Sequence, residues 1–84
     1  MKAEFNQTAL LKGLARKDRQ AIETIYRENF SLIQALVVNN SGSVEDAKDI
    51  FQEAMVVLFG KSQNEDFRLT CKIGTYLFAV SKHL

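Results

Sequence analysis

The sequence predicts an all-α fold: a compact four-helix domain made of a short N-terminal helix, an antiparallel helical hairpin, a loop and a C-terminal helix. Three observations carry that expectation. Apolar residues recur at i, i+3, i+4 and i+7 through two long stretches, which puts them on one face of a helix. Residues that favour helix starts and stops stand at the ends of those stretches. The chain contains no proline, in keeping with a mainly helical structure.

The central stretch is residues 43–60, SVEDAKDIFQEAMVVLFG. Ser43 suits an N-cap, Glu45 and Asp46 place negative charge in the first turn, and Gly60 is expected to stop the helix in the left-handed conformation. Ala47, Ile50, Phe51, Ala54, Met55 and Leu58 form its apolar stripe, a core face. The opposite face carries Asp46, Asp49, Gln52 and Glu53 at spacings of three and four. Composition alone leaves that polar stripe open between a solvated surface and a protein-docking surface.

In chain order, residues 1–7 read as a frayed lead-in. Thr8 is then expected to cap a short helix through Ala9, Leu10, Leu11 and Leu14 that breaks near Arg16 and Lys17. Asp18 caps a longer helix whose stripe is Ile22, Ile25, Tyr26, Phe30, Ile33, Leu36 and Val37, ended by Asn39-Asn40-Ser41-Gly42. The short polar connection makes this helix and the next an antiparallel pair. After Gly60, KSQNEDFRL lacks a helical period and reads as a loop anchored in the core by Phe67 and Leu69. A last helix is expected to begin between Thr70 and Ile73 and run to the end. Ile73, Leu77, Val80 and Leu84 share its core side, and Thr75, Phe78, Ala79 and Lys82 its exposed side.

Size and charge narrow the function. A single domain of 84 residues is too small for most enzymes with a deep, water-excluding site. The net charge of +1 hides an asymmetry. Residues 41–66 hold two lysines against six acids, a segment charge of −4, whereas residues 67–84 hold three bases and no acid. Such a chain can face two different partners. Cys71 is the sole cysteine and His83 the sole histidine, so neither a disulfide framework nor a Cys/His metal site is expected, and no cofactor is. A buried or incidental thiol is the expected state of Cys71. No run of about twenty apolar residues appears, which points to a protein of the cytoplasm with no membrane partner. The carboxylates of the acidic stripe stand on an open helix surface, where nothing tunes a pKa or excludes water, so no catalytic residue is assigned. The basic end interleaves cations with aromatic rings, a composition suited to single-stranded nucleic acid.

Taken together, DRQAIETIYRENF (18–30), EDAKDIFQEAMVVLF (45–59) and LTCKIGTYLFAVSKH (69–83) resemble the second conserved region of bacterial sigma factors, and most of all the extracytoplasmic-function group. The likeness runs from about Leu10 onward. Its most specific part is Asp46-Ala47-x-Asp49-x-x-Gln52-Glu53, followed after the loop by Thr75-Tyr76-Leu77. The resemblance implies a helical domain that binds the core RNA polymerase through the coiled coil of the β′ clamp. By position Asp46, Asp49, Gln52 and Glu53 would dock there, and an acidic, amide-bearing stripe suits a basic helical partner.

It further implies recognition and melting of the minus-ten promoter element, with a flipped non-template base held by the loop and last helix. The matching positions are Lys61, Asn64, Glu65, Asp66, Phe67 and Arg68 in the loop, and Lys72, Thr75, Tyr76, Phe78, Ala79 and Lys82 beyond it. A flipped base is stacked and hydrogen-bonded at its edge; Asn64, Glu65 and Asp66 offer the polar groups and Phe67 the ring. An anti-sigma factor is a further partner implied by the family. Three departures stand out: Tyr76 where many relatives have tryptophan, His83 where asparagine is common, and Gly74 in the first turn of the last helix at up to about 1 kcal/mol. The family's second, minus-thirty-five-binding domain has no counterpart in residues 1–84, so the sequence reads as the region 2 part of such a factor. The alternative is a helical protein-interaction adaptor that binds no DNA.

Overall fold

A computed structural model describes residues 7–64, 66–67, 69 and 71–83. Four helices and no strand occur among them: α1 (Gln7–Ala15), α2 (Arg19–Asn39), α3 (Val44–Ser62) and α4 (Ile73–Ser81). The expected all-α, four-helix architecture is therefore the one adopted.

Local chemistry sets most of the helix ends. The Asp18 carboxylate accepts the Gln20 N–H at 3.0 Å and starts α2. Ser43 starts α3 through a reciprocal capping box with Asp46. At the ends of α1 and α2 the chain turns through left-handed residues that are not glycine, Lys17 (φ 60°) and Ser41 (φ 73°). Each turn closes with the same bond pair: Asp18 N–H to Gly13 O and Lys17 N–H to Leu14 O, then Gly42 N–H to Val37 O and Ser41 N–H to Val38 O.

Three expected boundaries shift. α1 already includes Gln7, so Thr8 does not cap it. Gly60 does not stop α3: it is helical, has no positive φ, and the helix continues through Lys61 and Ser62 to a cap at Gln63. Ser62 Oγ donates to Phe59 O at 2.6 Å in that last turn, so the loop begins later than the turn-prone composition of KSQN suggested. α4 starts at Ile73 as expected but ends at Ser81, where Lys82 N–H turns back to Phe78 O. Thr70 and Leu84 lie outside the described residues.

The α2 and α3 stripes meet face to face. Tyr26 and Phe30 near the middle of α2 stack on each other and both meet Phe51 edge-on, at centroid distances of 4.9 and 5.6 Å from its ring. Ile22 lies near Met55 and Phe59, while Leu36 and Val37 lie near Asp46 and Ile50, so the two helices run antiparallel. α1 and α4 each pack against this hairpin. The core is Leu10, Leu14, Ile25, Ile33, Phe51, Leu58, Ile73 and Leu77 with smaller neighbours, Phe51 being fully buried. Ile50 and Met55 are only half-buried at its margin, Ala9 is exposed, and Tyr26 keeps 40% of its surface in solvent. Helices approach closely at two glycines. A Cβ on Gly13 would lie 2.5 Å from the Ala21 Cβ, and one on buried Gly74 would strike the Asn29 carboxamide, which is held by its bond to Ile25 O. Gly74 thus serves the α2–α4 contact.

Two side-chain hydrogen bonds tie α1 to the segment between α3 and α4. Gln63 Nε2 donates to Ala15 O at the end of α1, and Ile73 N–H donates to Gln7 Oε1 at its beginning, at 3.1 and 2.6 Å. Both Phe67 and Leu69 are half-buried there, but only Leu69 packs on the core as expected; Phe67, the main expected anchor, instead meets the Tyr76 ring.

Candidate functional site

The acidic stripe stands where its spacing put it. Because the opposite face of α3 is locked in the core, Asp46, Asp49, Gln52 and Glu53 are all exposed. Asp46 alone of the four is engaged in the fold, since its Oδ2 accepts the Ser43 N–H at 3.0 Å. Asp49, Gln52 and Glu53 make no side-chain hydrogen bond or ion pair among the described residues. The stripe also extends further than its polar members. Val56, with 68% of its surface in solvent, follows Asp49 by seven residues and Gln52 by four, and Val57 lies beside it. Gly60 continues the same ridge, with open space above its backbone. Two valines off the core stripe were a readable signal of an apolar continuation that the sequence reasoning passed over.

The second group of residues lies around the α3–α4 connection and on α4. Lys61 belongs to the last turn of α3, and Lys61, Asn64, Asp66, Lys72, Thr75 and Ala79 are exposed. Glu65 and Arg68 lie outside the described residues. Asn64 Oδ1 accepts the Asp66 N–H at 2.8 Å and Asn64 O accepts the Phe67 N–H at 3.0 Å, so this exposed side chain closes a tight turn. Phe67 is half-buried and meets Tyr76 edge-on at 6.0 Å, so the loop ring and the α4 ring form one aromatic unit. Phe78 is not the open ring expected from its stripe. It is half-buried against the core because it lies only about 100° around the helix from buried Leu77, and Lys82 Nζ sits 5.8 Å above its centroid.

Compared with known proteins, the chain matches no family model, no curated protein and no solved structure. The reading of the site therefore rests on its residues and their arrangement.

One groove joins residues that the sequence had assigned to separate partners. It lies where the end of α2, the start of α3 and the end of α4 converge, with a volume of about 580 Å³. Leu36, Val37 and Ile50 supply apolar wall, and Asp46, Asp49 and Lys82 supply charge. Gln52 and Glu53 do not line it. Ser81 does, and is the residue the sequence reasoning missed: 5% exposed, with an Oγ that makes no hydrogen bond among the described residues. Its signal was present, since Ser81 falls four residues after Leu77 and eight after Ile73, a hydroxyl in an apolar stripe. Among the described residues no cluster of His, Cys, Asp and Glu could hold a metal ion. Cys71 is exposed with a free thiol, so of the buried and incidental states expected for it the buried one is not adopted. No helix of the described residues is long and apolar enough to cross a membrane.

Proposed function

We propose that this domain is the core-polymerase-binding and minus-ten-recognising part of an extracytoplasmic-function-type sigma factor, working in the cytoplasm without catalysis of its own. The observation that carries the reading is the ridge of α3, where Asp49, Gln52 and Glu53 are exposed, unpartnered among the described residues and continuous with Val56. A ridge with charge at one end and an apolar side chain at the other suits a helical partner: electrostatics sets approach and register, and the apolar contact adds area removed from water. The β′ clamp coiled coil implied by the resemblance has that form. The Phe67–Tyr76 ring pair beside Asn64 and Lys72 supplies the stacking surface and polar groups that a flipped non-template base requires.

The deciding experiment is a pull-down with a β′ clamp coiled-coil fragment. Wild-type protein is retained, while Asp49→Arg or Gln52→Ala is lost from the bound fraction at unchanged helicity by circular dichroism. Binding to non-template minus-ten DNA is then measured with core polymerase present, against a scrambled strand. If neither the fragment nor core polymerase is retained, the docking assignment falls and the adaptor reading replaces it.

A further inference from the structure

We propose that the exposed face of α3 pairs with the same face of a second copy of this chain, the two α3 helices running antiparallel about a two-fold axis near Val56. A contact of that kind requires a surface that matches itself when turned end for end. The face meets this requirement with an apolar centre and ends of opposite charge.

At the centre, Val56 keeps 68% of its surface in solvent and borders a second groove of about 250 Å³, whose other walls are Leu14, Ile22, Met55 and Phe59 with Lys17. A two-fold axis beside Val56 sets the valine of each copy over the groove of the other and removes apolar surface from water on both sides. Gly60 lies four residues after Val56 with open space at its Cβ position, and Gln52 lies four residues before it. Gln52 of the second copy therefore meets a bare stretch of backbone, where the helices can approach closely.

Glu53 and Asp49 precede Val56 by three and seven residues, both exposed and without an ion pair among the described residues. Phe59 and Gln63 follow it by the same intervals. Lys17 Nζ stands 5.7 Å from the Phe59 ring centroid, and Gln63 donates to Ala15 O, next to exposed Arg16. Turning a copy end for end thus brings Glu53 toward Lys17 and Asp49 toward Arg16, twice per dimer. Parallel pairing would instead set acid against acid, so charge fixes the antiparallel register. The contact needs no polymerase. It covers Asp49, Gln52 and Glu53, so pairing and docking on the clamp through this ridge exclude each other.

The test is sedimentation equilibrium of the 84-residue chain over a concentration series at low and high salt. The mass rises from one chain toward two, and salt weakens the association because its ion pairs are exposed. Val56→Asp abolishes it at unchanged helicity by circular dichroism. Glu53→Lys and Lys17→Glu each raise the dissociation constant about threefold to tenfold, being felt at two symmetric contacts, and the double variant, with the pair reversed, recovers most of the loss. A single-chain mass up to about 1 mM, an association that survives Val56→Asp, or a double variant no better than either single one overturns the pairing. Retention of the clamp fragment by a chain that never associates sinks the pairing alone. Association of a chain that the fragment does not retain sinks the polymerase reading alone.

Discussion

Ser43 and Asp46 hold each other. The Asp46 N–H donates to Ser43 Oγ and the Ser43 N–H donates to Asp46 Oδ2, both at 3.0 Å. Asp46 therefore serves the fold as well as the exposed face, whereas Asp49, one turn later, serves no intramolecular contact among the described residues. Asp46→Ala removes the carboxylate half of the box while its backbone N–H still donates to Ser43 Oγ, and is expected to lower stability by about 0.5–1.5 kcal/mol. Asp49→Ala should stay within about 0.5 kcal/mol of wild type. Urea denaturation of the two variants checks the difference, and it makes Asp49 the cleaner probe of docking.

The three-ring cluster of Tyr26, Phe30 and Phe51 lies at the centre of the hairpin, and Phe51 is its fully buried member. Phe51→Ala should destabilise by about 3–5 kcal/mol, since the edge-on contacts vanish along with the apolar burial. A melting temperature near that of wild type would mean that the facing of α3 is wrong.

Two glycines in helices should respond oppositely to alanine. Gly60 is exposed with nothing near its Cβ position, so Gly60→Ala gains helix propensity and should stabilise by about 0.5–1 kcal/mol. A Cβ on Gly13 would lie 2.5 Å from the Ala21 Cβ, an atom fixed to backbone, so Gly13→Ala forces α1 and α2 apart and should destabilise by about 1–3 kcal/mol. Thermal melts of both variants are the measurement.

Ser41 occupies the left-handed position that ends α2, a conformation that L-residues adopt at a penalty of about 1 kcal/mol or more. Ser41→Gly relieves it and is expected to raise stability by about 0.5–1 kcal/mol, allowing for the greater freedom of glycine in the unfolded chain. A lower melting temperature would show that Ser41 is not strained there.

Gln7 gives α4 the N-terminal partner that Lys72 does not provide, since the cap residue makes no side-chain bond. Gln7→Ala leaves the Ile73 N–H unpaired and should cost about 1–2 kcal/mol. Faster hydrogen exchange is expected at the first amides of α4, with the exchange of α2 and α3 unaltered.

The fold was legible wherever its determinants are local. Caps at Asp18 and Ser43 act within three residues, and the period of Ile25, Ile33 and Val37 or of Ala47, Phe51, Ala54 and Leu58 follows from helix geometry alone. What escaped is decided between distant residues. A glycine stops a helix only if the chain leaves it there, and α3 instead continues to Gln63, whose side chain reaches across 48 residues to Ala15. Gly74 is a weakness in α4 taken alone, and a requirement once Asn29 of α2 packs against it. The exposed acids were readable from spacing. The groove with Ser81 was not, since it exists only where three helix ends converge.

The bonds of Gln7 and Gln63 make α1 a ruler. Its nine residues, at about 1.5 Å each, set a length of roughly 13 Å, and the chain between α3 and α4 is pinned at one end of that length by Gln63 and at the other by Ile73. The separation of Gln63 and Ile73 is therefore set by a helix far from both in sequence. Adding or removing one turn of α1 would change that separation by about 5 Å. The spacing of two residues around the α3–α4 connection can then be altered from the opposite end of the sequence.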